Sequence, residues 1–213
     1  MKQYDHIEYY GKRLVGEVIY AFDKLDGSNL RFEFSRKRGW YKFGTRKCMI
    51  DEKNTEYGMA IPFFLNKYGD GLVDVFTKNK DYRNIKNFIV FCEWFGPNSF
   101  AGHHTDPIDK MNLVLIEVNP ITKGFVDPKR FIDDFGHMEI PKLIYHGNLN
   151  HEFIQSVKRN DYGLMEGVVC KAKDSGKAHQ IWMVKIKTDA WLDRLKNTFG
   201  KQKLKDELSG KDI

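Results

Sequence analysis

Apolar residues in this chain fall into short runs, and the spacing of the polar residues among them separates strands from helices. Residues 18–22 are aromatic and β-branched, the composition of a strand. Residues 30–34 alternate apolar side chains with Arg31 and Glu33, as a half-buried strand does, and a Gly-containing turn separates the two runs. Residues 36–39 read as the next turn and 40–46 as the returning strand, where counting by two from Trp40 puts Lys42, Gly44 and Arg46 on one face. Pro62 suits a first helical position, in a short helix stopped at Gly69, with a second helix over 70–79. Strongly apolar strands follow at 88–95 and 113–118. Asp127 and Pro128 supply an N-cap and first position for a helix that Gly136 ends. Residues 141–145 predict a strand and 150–159 an amphipathic helix. A hairpin follows, with arms at 166–171 and 180–187 and its turn at 174–177, then a helix over 189–199.

Strands interspersed with helices, several of them paired through hairpins, predict an α+β fold with antiparallel sheets flanked by helices. The length suits one domain over residues 1–200 with a lysine-rich tail at 201–213. The formal charge of +6 is compatible with a polyanionic partner without demanding one. Cys48, Cys92 and Cys170 are far apart, odd in number and without metal-ligand spacing, so free thiols in a reducing compartment are expected. The N-terminus lacks the apolar core of a signal peptide and no apolar run is long enough to span a bilayer, which points to a cytoplasmic protein without a membrane partner.

Against this pattern, certain charges stand out: Lys24 with Asp26, Arg46, Glu93, Glu166, and Lys185 with Lys187. Each lies at a strand end or inside an apolar strand, where structure alone rarely places a charge. A lysine beside other cations can lose its proton near neutral pH and act as a nucleophile. Three carboxylates can hold a hydrated divalent cation, and an arginine with further lysines can neutralise phosphate.

The order of these residues resembles the covalent nucleotidyltransferase superfamily of ATP-dependent ligases and RNA capping enzymes. Lys24-Leu25-Asp26-Gly27 is similar to its K-x-D-G motif, and Arg46 falls where the next motif places an arginine. Glu93 in F-C-E-W-F-G, the stretch 112–118, Glu166-Gly167 and Lys185-Ile186-Lys187 look like the later motifs. Within the superfamily, the continuation Gly27-Ser28-Asn29 resembles RNA ligases of the phage and kinetoplastid RNA-editing type. DNA ligases and capping enzymes more often have arginine where Asn29 stands. They also carry a C-terminal oligonucleotide-binding barrel, for which the 26 residues after Lys187 are too few, so the chain reads as a nucleotidyltransferase domain nearly alone.

The resemblance implies a nucleotide groove between two sheets and ATP with Mg2+ (or Mn2+) as cofactors. Lys24 would form the lysine–AMP bond, with Asp26, Lys185 and Lys187 as its catalytic partners. Asp23, Asn29, Arg46, Glu93, Ile116, Glu166 and the three lysines would bind nucleotide, and Asp26, Glu93 and Glu166 would arrange the metal. The partner implied is RNA with 5′-phosphate and 3′-hydroxyl ends. Two departures are visible: the editing-type ligases often have histidine where Asp26 stands, and the adenine-stacking aromatic is replaced by Ile116. A DNA nick-sealing ligase, a GTP-using capping-type enzyme and a non-enzymatic RNA-binding module are the alternatives. His103 and His104 read as exposed loop histidines, Phe91, Trp94 and Phe95 as core, and the lysines beyond 195 as a solvated helix face.

Overall fold

The computed structural model describes Tyr4 and residues 7–10, 16–173 and 181–209. The turn expected at 174–177, much of the N-terminal stretch and the last residues of the tail lie outside them. In chain order the strands are β1 (Glu8–Tyr9), β2 (Val18–Lys24), β3 (Ser28–Ser35), β4 (Gly39–Thr45), β5 (Met49–Ile50), β6 (Asn87–Phe95), β7 (Asn112–Pro120), β8 (Leu143–Asn148), β9 (Gly167–Lys173) and β10 (Ile181–Lys187). The helices are α1 (Ala60–Phe64), α2 (Asp70–Lys78), α3 (Pro128–Phe135), α4 (His151–Arg159) and α5 (Asp189–Ser209). They form a mixed α+β fold in two compact units, one containing Tyr4 and Gly27–Ile140, the other Asp5–Asp26 and Pro141–Ile213. Among the described residues no helix is long and apolar enough to cross a membrane.

The first unit is built on an antiparallel sheet in the order β5-β4-β3-β6-β7. Leu30, Phe32 and Phe34 of β3 and Phe88, Val90 and Cys92 of β6 face one core. Phe64 of α1 stacks on Phe32 and Phe76 of α2 on Phe88, each with ring centroids 3.8 Å apart. The expected glycine stop at Gly69 does not occur. A π-helical turn, Leu65–Gly69, carries α1 directly into α2, and Gly69 keeps right-handed helical angles while its carbonyl accepts a hydrogen bond from Trp40 Nε1. Helix α3 begins as read, with the Asp127 side chain accepting from the backbone N–H groups of Lys129 and Arg130.

Two strand readings change. Strand β3 is buried on both faces: Arg31 and Glu33 are covered as fully as their apolar neighbours, on a face where Phe91 meets Tyr4 and Phe125. Strand β4 carries a bulge at Tyr41, since Glu33 pairs with Lys42 but Phe34 with Trp40. The extra residue reverses the alternation, so Trp40 packs with Phe34 in the core while Lys42 and Gly44 lie on the opposite face.

The second unit holds the sheet β1-β10-β9-β2-β8, antiparallel except for the short β1, which runs parallel to β10. Ile19, Ala21, Val168, Cys170, Val184 and Ile186 bury one face against Phe153, Ile154 and Val157 of α4. Asn150 caps α4 by accepting from Phe153 N at 2.8 Å, and Asn160 closes it in the left-handed region. Strands β2 and β3, adjacent in sequence, therefore enter different sheets, and the glycine turn between them is not a hairpin.

Gly167 opens β9 directly across from Lys187 of β10. A Cβ there would sit 2.1 Å from the Ile186 carbonyl oxygen and 2.7 Å from Lys187 Cα, both rigid backbone. Gly167→Ala is therefore expected to destabilise the protein by roughly 1–3 kcal/mol, because the overlap falls on backbone that has no rotamer with which to move aside. Urea unfolding of the two proteins measures the difference, and an unchanged midpoint would show that the strands separate freely.

Candidate active site

In the second unit the hydrogen-bond register brings three strand ends into line: Lys24 of β2 pairs with Gly167 of β9, and Gly167 with Lys187 of β10. Glu166, the residue before Gly167, sits between the two lysines. Its Oε2 accepts from Lys24 Nζ at 2.8 Å and its Oε1 lies 2.6 Å from Lys187 Nζ. Glu166 and Lys187 side chains are each 3% exposed, whereas Lys24 is 21% exposed. Burial acts to raise the Glu166 carboxyl, but Lys187 and Lys24 together hold it below the ordinary glutamate range.

Lys185, two residues before Lys187, shares its face of β10, and burial pulls its ammonium below the ordinary lysine value although Glu207 opposes the shift. Glu207 comes from the far end of α5. Its Oε1 lies 2.7 Å from Lys185 Nζ and 2.9 Å from Lys187 Nζ. The first turn of α5 supplies another contact: Trp191 Nε1 donates to Asp26 Oδ2 at 2.6 Å, and Lys187 Nζ stands 3.4 Å from the centre of the Trp191 indole. Lys24, Asp26, Glu166, Lys185 and Lys187 are thus gathered within one unit. Asp23, next to Lys24, projects from the opposite face of β2. Its backbone N–H donates to the Lys142 carbonyl, and burial raises its carboxyl above the ordinary range against the pull of Lys142.

The other expected residues lie in the first unit, with Asn29 and Glu93 on the sheet face opposite its helix-covered core. Asn29 of β3 is directly across from Glu93 of β6, and Arg46 follows Thr45, the β4 residue paired with Leu30. Ile116 is the extra residue of a bulge in β7, where Phe91 pairs with Glu117 but Cys92 with Leu115. Among the described residues no three histidine, cysteine or acidic side chains assemble into a group that could hold a metal directly. Both Glu166 oxygens face lysines, and Asp26 already accepts from Trp191. That donor set does not fit a caged ion. It fits a hydrated cation, held through water at the carboxylates.

Sequence reasoning missed three contributors. Glu207 lay in a stretch read as a solvated lysine-rich tail. Trp191 was an unremarked residue of a helix, although a tryptophan in the first turn after K-x-K was a legible signal. His104 is not an exposed loop histidine: its Nε2 lies 2.8 Å from Ser28 Oγ and its Nδ1 2.8 Å from Ser99 Oγ, whose oxygen also accepts from Gly96 N. Burial holds that imidazole below its ordinary value of 6.5, so it joins the two hydroxyls in its neutral form.

The Glu207 pairs carry a pH dependence. Burial would raise its carboxyl, but Lys187 and Lys185 outweigh burial and hold it at about 2 against an ordinary 4.5. A depressed carboxylate stabilises the fold above its unfolded value and loses that contribution as pH falls through its folded one. Stability should therefore decline as pH falls from 4.5 towards about 2. Glu207→Gln should cost roughly 3 kcal/mol at pH 7, by leaving buried lysines uncompensated, and should flatten this acid limb. Urea titrations across that pH window test both points; parallel limbs in the two proteins would remove Glu207 from the account.

Comparison with known proteins gives a consistent picture. A model of the RNA ligase family matches residues 17–187. A search of curated proteins finds no match in sequence. Solved structures of the Naegleria gruberi RNA ligase share the fold. A variant with ATP and Mn aligns at a TM-score of 0.61, with 16% identity over 92% of this chain and 59% of the other. An apo variant aligns at 0.63 with 13% identity, over 92% and 58%. The complex with pyrophosphate aligns at 0.60 with 17% identity, over the same shares. The chain spans about three fifths of the length of those relatives.

Proposed function

The chain belongs to the RNA ligase family, and on that premise we propose that it is an ATP-dependent RNA ligase that joins 5′-phosphate to 3′-hydroxyl ends through a covalent lysine–AMP intermediate. The observation that carries the reading is the single buried carboxylate, Glu166, shared by the nucleophile candidate Lys24 and the phosphate-binding candidate Lys187. Residues 1–200 would form the nucleotidyltransferase domain, with 201–213 as its tail. ATP is the nucleotide, with Mg2+ or Mn2+ as its cation; the ATP- and Mn-bearing complexes of the structural relatives support this choice.

In the first step the Lys24 amine attacks the α-phosphorus. A nitrogen–phosphorus bond forms, the bond to the bridging oxygen breaks, pyrophosphate leaves and the amine gives up its proton. Attack requires the neutral amine, so the ammonium contact between Lys24 and Glu166 must open as the phosphate arrives. Lys185 and Lys187 bear on the phosphate oxygens and offset charge that develops there. Asp26, Glu93 and Glu166 would hold the cation's waters; the cation screens the charge of the phosphates. Asn29, Arg46, Glu93 and Ile116 would contact the ribose, base and phosphate, and Asp23 would support the end of β2 that carries Lys24. In the second step the RNA 5′-phosphate displaces Lys24 from AMP, and in the third a 3′-hydroxyl displaces AMP to make the phosphodiester. Positioning and charge stabilisation dominate, because the lysine is the protein's one covalent contribution.

Incubation with magnesium and α-labelled ATP should leave label on the protein, and Lys24→Ala should abolish both labelling and sealing of unactivated RNA. Undiminished label on that variant would remove Lys24 from the role. The same assay with GTP, and with DNA ends, separates the capping-type and DNA-ligase alternatives.

Glu166→Gln keeps the shape of the side chain but leaves two lysines without their shared counter-charge. Its labelling rate should fall by at least about 100-fold, a loss of roughly 2.7 kcal/mol in transition-state stabilisation. Asp133→Asn, in an exposed pair with Lys129 on α3, should stay near wild type. Equal rates in the two variants would place Glu166 outside the site.

A further inference from the structure

Helix α5 is two helices joined at Gly200, whose φ of 87° and ψ of 173° are not helical and suit a glycine. The first segment is anchored by buried Trp191 and Leu195. In the second, residues 201–209, no side chain is buried; Leu204 is half-buried and Leu208 exposed. Its polar hold is Glu207, whose Oε1 lies 2.7 Å from Lys185 Nζ and 2.9 Å from Lys187 Nζ. The segment thus rests on a glycine pivot, little apolar burial and one carboxylate, so the ion pairs of Glu207 are its main hold on the sheet, and a ligand that displaces them frees it.

Lys185 and Lys187 are the two lysines assigned to phosphate, and Glu207 gives them what a phosphate would give, an anionic oxygen within ion-pair distance of both. A third anion cannot share those ammonium groups without meeting Glu207 at close range, where like charges repel strongly in a buried setting. Resting on the ligase reading above, we infer that residues 201–209 form a built-in competitor for the nucleotide site: Glu207 docked on Lys185 and Lys187 and nucleotide phosphate bound there are mutually exclusive. Linkage makes the effect reciprocal, so docking weakens nucleotide binding and nucleotide loosens the segment by the same factor.

Two measurements on the full chain test this. The first is the affinity for a magnesium complex of α,β-methylene ATP, which cannot transfer AMP to Lys24, in wild type and Glu207→Gln. The variant should bind at least about tenfold more tightly, because the competing state has lost its charge. The second uses the unaltered protein, and so does not depend on the variant's stability. Saturating the analogue should accelerate amide hydrogen exchange in residues 201–209 while exchange in α4 is unchanged or slowed. Equal or weaker binding by Glu207→Gln, with slower exchange in 201–209 on saturation, would overturn the inference and make Glu207 a support for the lysines, with the ligase reading intact. If neither protein binds the analogue, the ligase reading itself fails and takes the inference with it.

Discussion

A carboxylate with 3% of its side chain exposed, shared between two lysines, sets the terms for the second unit of this protein. Taking Glu166 and Lys187 out of water is expensive, and an ion pair so placed repays the cost only when its geometry is close and both partners are met. Here the geometry follows from the sheet. Register aligns Lys24, Gly167 and Lys187 across β2, β9 and β10, and the missing side chain at Gly167 lets the strands approach closely enough for Glu166 to reach both ammonium groups. Glu207 then completes the neutralisation from another helix. Three lysines thereby share two glutamates at ion-pair distance.

The first unit meets a different constraint. Its sheet is covered by α1 and α2 on one face, so any chemistry it contributes must come from the other. That face carries Asn29 opposite Glu93. Bulges in β4 and β7 are the devices that turn side chains from one face to the other without breaking the sheet; the one in β7 falls at Ile116, and β4 leads to Arg46. The His104 bridge from Ser28 to Ser99 ties the start of β3 to the loop after β6, at the same end of that sheet as Asn29 and Glu93.

Much of this was legible because local chemistry determined it. The Asp127 cap, the Asn150–Arg159 amphipathic pattern and the β-branched runs that became β2, β6, β7 and β10 each carry their own signal within a few residues. The gathering of Lys24, Glu166, Lys185 and Lys187 was also legible, because charges in apolar strands need a reason to be there. What escaped depends on contacts distant in sequence. Gly69 stays helical because tertiary packing overrides its local preference. Trp40 and Lys42 part company because of a bulge that no periodicity announces. Glu207 and His104 look like surface residues by composition, and only the chain path brings one to the lysines and the other between two serines.

A cluster of buried lysines proposed to grip phosphate would face a conflict between folding and function. Unbalanced, it would repel itself and destabilise the sheet that carries it; fully balanced, it would have little attraction left for a nucleotide. The arrangement at the ends of β2, β9 and β10 divides the two demands between different carboxylates. Glu166 directly precedes β9, a strand buried on both faces, so its contribution is firmly held and supports the fold. Glu207 rides on a segment beyond a glycine pivot with no buried side chain, so the counter-charge it supplies to Lys185 and Lys187 can be withdrawn. On the reading proposed above, placing the removable counter-charge on the less firmly held element would let one set of lysines satisfy the folded chain in one arrangement and an incoming phosphate in the other.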